Sequence, residues 1–288
     1  KEHVFYSNYV LALKKDIFTL VCPDCGEVYE HSFKNDGAAS CPRCGRIIKD
    51  PKEGNIHHGK FLCPKCGEEK VLSEYTERNG YPFSTKLIAI EYYCPACGAH
   101  GYKKIEPQDE ALYKEACAEY DRIKDTLPIP DQDIPVGYNT NQILNHGYKK
   151  FSDLFNKRQL LGLGLLLDEI NRVDDKEIQF WLQLAFSGML EMNNMFCRYQ
   201  ANAYKICNIF FNHAYVPITM PVENNVWGTK LGTGTFIKTI DKIIRGKKFC
   251  SEIYDISTSE KNGKVNVIKK YSDETVQCDP VCDFNELD

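Results

Sequence analysis

Four copies of one five-residue pattern decide the fold of this chain: CPDCG at 22–26, CPRCG at 41–45, CPKCG at 63–67 and CPACG at 94–98. In each copy two cysteines stand three positions apart, so one turn presents both thiolates to the same point. The proline after the first cysteine and the glycine after the second favour that turn. The pattern therefore predicts tetrahedral zinc sites with four cysteine ligands, in which each sulfur lies about 2.3 Å from the metal.

Eight cysteines allow two ways of sharing the ligands. The spacing favours sequential pairing, which makes a first cysteine site and a second cysteine site. Interleaved pairing stays open, because the gap from 44 to 63 also suits a site. The first cysteine site would be Cys22, Cys25, Cys41, Cys44, and the second cysteine site would be Cys63, Cys66, Cys94, Cys97. A redox dithiol is the alternative for one such pair, but four copies favour zinc. Four thiolates complete each site, which predicts a structural metal without a catalytic role.

Length and composition describe a globular chain. Its 288 residues are 43% hydrophobic, enough for the core of one large domain or two ordinary ones. The sequence has no apolar stretch long enough to span a membrane and no secretory signal, so we expect a soluble, cytoplasmic protein with reduced thiols. The first residue is Lys1, and we expect a piece of a longer protein.

Charge is distributed unevenly along the chain. The net charge of −4 would argue against a nucleic-acid partner. Counted by segment, however, the charge is +1 for 1–21, +1 for 22–104, −6 for 105–141, +5 for 142–250 and −5 for 251–288. Only the segment 142–250 is a credible phosphate-facing surface.

The overall pattern predicts an α+β fold, with two Cys₄ zinc ribbons of small β structure followed by a mostly helical domain and a short β tail. The expected parts are a lead-in strand at 1–20, tandem zinc ribbons at 21–106, an acidic helix with a Pro-rich connector at 107–140, a helical domain at 141–250 and the β tail at 251–288.

Helix and strand patterns divide the later segments further. The acidic helix is expected at 109–125. In the helical domain we expect helices at 157–173, 175–195, 200–212 and 236–245, the first of them capped by Asn156 and Gln159. Two glycines inside that helix, Gly162 and Gly164, are predicted to serve helix packing. In the tail, we expect strands at 264–268 and 275–277.

Several stretches of the second half resemble one enzyme family. Residues 145–161, NHGYKKFSDLFNKRQLL, resemble a segment of the adenine-specific DNA methylases that carry an inserted zinc ribbon. Further agreement lies at 191–199, 213–217, 223–228 and 232–236, in the expected order. The match covers roughly residues 20 to 250 and is specific as a set.

This resemblance implies methyl transfer from S-adenosylmethionine to the exocyclic amine of a DNA base. Two motifs carry that chemistry in the family, a Phe-x-Gly-x-Gly cofactor loop and an Asp/Asn-Pro-Pro-Tyr/Phe motif that holds the flipped base. Neither occurs here, and DPVC at 279–282 lacks the second proline and the aromatic residue. The resemblance therefore implies the middle of such an enzyme, with no catalytic or cofactor-binding residue of its own. S-adenosylmethionine would bind only the full-length enzyme.

Two functions follow as hypotheses. The first is a DNA-recognition region, inactive by itself, whose partners are DNA and the missing catalytic halves. Its phosphate contacts would be Lys149, Lys150, Lys157, Arg158, Arg198 and Lys205, and its base contacts Asn193, Asn194, Asn224 and Asn225. Each of these residues has a local structural role as its alternative. The second hypothesis is a non-catalytic zinc-ribbon module that docks a protein partner or partner subunit.

Overall fold

The computed structural model describes residues 4–33, 38–62, 67–72, 84–261 and 264–272. The chain divides into two compact units, 1–240 and 241–288. The described residues combine five α-helices with several small antiparallel sheets. None of the helices in these ranges has the length and apolar character needed to cross a bilayer.

Small sheets make up the cysteine-rich part of the first unit. The lead-in segment, expected as one strand, instead forms a hairpin whose turn holds Lys15 at φ 56°. Its second strand pairs with the strand that follows the first cysteine pair, and beneath the sheet lies a core that includes Tyr6, Leu20 and Val21. The strands are β1 (Val10–Lys14), β2 (Ile17–Val21), β3 (Val28–Ser32), β4 (Ala39–Ser40), β5 (Ile47–Ile48), β6 (Ile56–His57), β7 (Lys60–Leu62), β8 (Glu69–Val71), β9 (Ala89–Tyr93) and β10 (His100–Lys104).

The helices are α1 (Pro107–Ile123), α2 (Asn141–Asn145), α3 (Lys157–Asn171), α4 (Lys176–Leu190) and α5 (Phe236–Ser251). The predicted cap of α3 is confirmed: Gln159 N donates to Asn156 Oδ1 at 2.8 Å, and Asn156 N donates to Gln159 Oε1 at 3.0 Å. Helix α4 ends at Leu190 rather than at 195, whereas α5 runs beyond the expected 245 to Ser251.

The helix predicted at 200–212 is wrong. The chain forms a hairpin there, β11 (Arg198–Gln200) with β12 (Lys205–Cys207), followed by turns. Tertiary contacts override the local pattern, because Leu13 N donates to Ala201 O at 3.2 Å and fixes the hairpin against β1. A second core, Ile134, Ile143, Leu154, Phe196 and Ile209, lies beside it.

Of the two glycines of α3 that were predicted to serve helix packing, only Gly164 is needed for a close approach. A Cβ at Gly164 would lie 3.0 Å from Leu127 Cδ1, whereas one at Gly162 would lie an ordinary 3.5 Å from Val226 Cγ2. Gly164 therefore brings the helix backbone against the segment after α1.

In the second unit, β13 (Tyr254–Lys261) and β14 (Lys264–Tyr271) form an antiparallel hairpin. The strand predicted at 264–268 is confirmed within β14. Its partner β13 was not predicted, and the strand expected at 275–277 lies outside the described residues.

Candidate metal centre

The first cysteine site is assembled in the structure. Cys22 Sγ lies 3.6 Å from Cys44 Sγ, and Cys25 Sγ lies 3.6 Å from Cys41 Sγ. All four sulfurs lie within 4.8 Å of one another. Sulfurs at the corners of a tetrahedron around zinc would be about 3.8 Å apart, given bonds of about 2.3 Å. The four thiols are close enough to hold one metal ion, which confirms sequential pairing at this site.

Backbone hydrogen bonds shape both turns in the same way. Gly26 N donates to Cys22 O at 2.9 Å, and Gly45 N donates to Cys41 O at 2.9 Å. The two glycines have φ values of 72° and 74°, in the left-handed region. A Cβ at either glycine would meet nothing within 4 Å. Glycine is therefore needed here for its backbone conformation and not for space.

Charged side chains link the two turns across the site. Arg43 of the second turn lies 3.7 Å from Glu27, and Arg46 lies 3.8 Å from Asp24 of the first turn. Lys104 of β10 also reaches Glu27, at 3.0 Å. Such partly exposed pairs add little stability.

The surroundings of Cys22 and Cys41 change the pKa of these two thiols in opposite directions. Burial raises the pKa of the Cys22 thiol to about 12. At Cys41 burial acts in the same direction, but hydrogen bonds from the backbone N–H groups of Cys44 and Arg43 and from the thiols of Cys25 and Cys22 together outweigh it and lower the pKa to about 7. Because a buried thiol loses its proton most readily next to a cation, this donor set fits a divalent metal.

Half of the second cysteine site lies within the described residues. Gly98 N donates to Cys94 O at 2.8 Å, and Gly98 has φ 74°, so the turn at 94–98 repeats the turns of the first site. Backbone N–H of Cys97 lowers the pKa of Cys94. Gly67 has the matching φ of 71°, whereas Cys63 and Cys66 lie outside the described residues.

The cysteine-rich part contacts the segment 198–221. Besides the bond from Leu13 to Ala201, Ser7 N lies 3.3 Å from Met220 Sδ. The hydroxyls of Tyr102 and Tyr199 lie 2.5 Å apart, and burial raises the pKa of both phenols. The β1–β3 sheet and the β9–β10 hairpin thus both hold the β11–β12 hairpin.

Three of the predicted phosphate contacts have carboxylate partners within the protein. Arg158 binds both oxygens of Glu223, at 2.7 and 2.9 Å, and stacks 4.7 Å from the centre of the Tyr113 ring. Lys157 pairs with Asp121 at 2.6 Å, and Lys150 pairs with Asp131. Of the other three, Lys205 is exposed, Lys149 donates its backbone N–H to Asp153, and Arg198 lies over the ring of Phe211.

The predicted base contacts also bind local backbone. Asn193 is buried and donates from Nδ2 to Met189 O and Gly234 O, at 2.8 and 2.6 Å. Asn194, also buried, donates to Leu190 O at 2.8 Å. Asn224 donates to Thr233 O at 2.8 Å, and Asn225 Oδ1 accepts from Gly228 N at 2.7 Å. Contacts of these amides with DNA stay a prediction.

Sequence reasoning missed the partner of Arg158. The stretches that resemble the methylases pack against one another: Asn156 donates to Glu223 Oε2 at 2.9 Å, and Asn193 reaches Gly234. The only sequence signal for the ion pair was an unassigned acid at 223 in a basic segment.

Comparisons of the chain with family models, with curated proteins and with solved structures find no match. The resemblance to methylases thus rests on the quoted residues alone.

Proposed function

We propose that this chain is the zinc-ribbon and target-recognition region of an S-adenosylmethionine-dependent, adenine-specific DNA methyltransferase, and that it binds DNA without catalysing methyl transfer itself. The observation that carries the proposal is the cluster of four cysteines, together with its attachment to the segment 198–221. The enzyme class in this proposal is inferred from the resemblance of several stretches, in the expected order, to the adenine-specific DNA methylases.

Zinc is the metal we assign to the first cysteine site. Four sulfur donors in a compact tetrahedral arrangement suit Zn²⁺, and no position remains open for a substrate. The ion would therefore be structural, with a contribution to folding of about 10 kcal/mol or more. We assign a second structural zinc to the second cysteine site, because the turn at 94–98 has the same geometry.

The metal would position a recognition surface. Zinc at the first site joins the end of β2 to the turn before β5, and the β1–β3 sheet in turn holds the β11–β12 hairpin through Leu13 and Ala201. In this arrangement the zinc stabilises the position of the basic part of the chain. The segment 142–250, with its charge of +5, would then contact the DNA.

Binding to a random DNA duplex tests the proposal. The full chain, loaded with zinc, should bind with an affinity that falls steeply with salt, because each phosphate contact releases counterions. Fluorescence anisotropy at several salt concentrations gives the slope. Affinity independent of salt, or methyl transfer by the chain alone, would contradict the proposal.

A protein partner is the second candidate, and one surface favours it. Phe180 and Leu184, four positions apart on the same face of α4, are 57% and 46% exposed. Exposed apolar side chains that share a helix face are typical of a docking face. A partner subunit whose affinity drops with Phe180→Glu but not with added salt would favour this function over DNA binding.

A further inference from the structure

One segment of this acidic chain contains no acidic residue. Residues 192–222 have neither Asp nor Glu, although the whole chain has a net charge of −4. The same segment contains Arg198, Lys205 and His213, together with five asparagines. It forms the β11–β12 hairpin and the loop after it, the part of the fold that the metal region holds in place.

This segment exposes aromatic rings next to its cations. Tyr204, Phe210 and Phe211 are 42%, 46% and 44% exposed. The guanidinium of Arg198 lies 3.9 Å from the centre of the Phe211 ring, and Phe210 meets Tyr215 edge to face at 5.4 Å. We call the set Arg198, Tyr204, Lys205, Phe210 and Phe211 the aromatic surface. The rings of Phe210 and Phe211 are held by neighbours and still offer area to a ligand.

Further cations border the aromatic surface. The bond from Leu13 to Ala201 places the β1–β2 turn, with exposed Lys14 and Lys15, beside the hairpin. That turn also holds one acid, Asp16.

Two other nearby carboxylates have partners within the fold. Glu91 binds His100 at 2.7 Å, and Glu223 is held by Arg158. Glu191 accepts a bond from Ile209 N through its backbone carbonyl, and its side chain is exposed. The potential at the surface is therefore set mainly by cations.

We propose that the aromatic surface binds single-stranded DNA, with unpaired bases stacked on its exposed rings and the backbone phosphates near Lys205 and the Lys14–Lys15 turn. This inference rests on the DNA-binding function proposed above and names the form of DNA involved. Base faces are available for stacking only where a strand is unpaired. A duplex would offer mainly phosphates, which the few cations here would hold weakly.

The backbone of this surface supports a recognition role. Tyr204 and His213 both adopt left-handed φ values, 50° and 55°, without being glycines. Such conformations cost free energy and persist where the surrounding structure enforces them, often at binding sites. Tyr204 lies at the turn of the β11–β12 hairpin, and His213 lies two positions after Phe211 in the loop that follows.

Anisotropy titrations with the full zinc-loaded chain test the inference. The probes are a labelled DNA strand of about 12 nucleotides, the same strand annealed to its complement, and the RNA of the same sequence. The variant Phe211→Leu keeps an apolar side chain but removes the stacking face, and Phe249→Leu on α5 is the matched control, because both phenylalanines are 44% exposed. We expect Phe211→Leu to weaken single-strand binding about 5- to 100-fold and Phe249→Leu to leave it unchanged. Circular dichroism shows whether both variants keep the fold.

The outcomes separate this inference from the proposed function. Salt-dependent duplex binding with no preference for the single strand, or with no effect of Phe211→Leu, overturns the inference and leaves the proposed function standing. Tighter binding of the RNA strand overturns the assignment to DNA. If no nucleic acid binds, both proposals fail.

Discussion

Breaking the ion pair between Arg158 and Glu223 should destabilise the fold. The pair is bidentate, and the side chains are 37% and 19% exposed, so water screens it only in part. A hydrogen bond to a charged group contributes about 1.5–3 kcal/mol when buried. With a discount for the exposed guanidinium, we expect a coupling energy of about 1–2 kcal/mol.

A double-mutant cycle measures this energy directly. The variants are Arg158→Met, Glu223→Gln and the double variant. Glutamine keeps an oxygen that accepts the hydrogen bond from Asn156. The loss of Arg158 stacking on Tyr113 cancels within the cycle. Urea unfolding of the zinc-loaded chain, followed by tryptophan fluorescence, gives each free energy of unfolding.

The neighbouring pair of Lys157 and Asp121 is the control. Both of its side chains are about half exposed, and we expect its coupling energy to be indistinguishable from zero. Equal coupling in the two cycles would refute the structural role given to Arg158. Unchanged stability with weakened DNA binding in Arg158→Met would instead make Arg158 a phosphate contact.

Three further predictions concern glycines and tyrosines. Gly162→Ala should raise the free energy of unfolding by about 0.5–1 kcal/mol through helix propensity, whereas Gly164→Val should lower it by about 1–3 kcal/mol through overpacking, both measured by urea unfolding. Gly26→Ala should cost about 1–2 kcal/mol, because it forces a left-handed φ, and should weaken zinc retention in a chelator titration; retention equal to the native chain would contradict this. Folding raises the pKa of Tyr102 to about 12, so its stabilising contribution is present below the unfolded value of about 10 and is lost as pH rises from about 10 to 12. The double variant Tyr102→Phe, Tyr199→Phe should lose less stability across that range, and an unchanged pH profile would be evidence against the buried pair.

Local signals in the sequence predicted the metal site and the start of α3. A Cys-x-x-Cys turn closes through bonds between residues only four positions apart, and its glycine needs φ near 72° whatever the rest of the chain does. The cap of Asn156 and Gln159 is equally local, which is why both could be predicted without knowledge of the tertiary structure.

Long-range contacts explain what the sequence did not show. The segment 200–212 has helical spacing, but the backbone bond from Leu13 and the contact between Tyr102 and Tyr199 fix a hairpin there. Likewise, the predicted DNA role of Asn193 rested on its residue type alone. Its burial and its bond to Gly234 depend on a loop 41 positions away.

Zinc content of the native chain and of the variant Cys22→Ser, Cys44→Ser tests the central claim most directly. Inductively coupled plasma mass spectrometry of both purified proteins gives zinc per chain, and Cys197→Ser, at a buried cysteine outside both sites, is the control. We predict that the double variant holds one zinc ion fewer than the native chain and that the control holds the native number. Equal zinc in all three proteins, or a native chain without bound zinc, would contradict a structural zinc at Cys22, Cys25, Cys41 and Cys44.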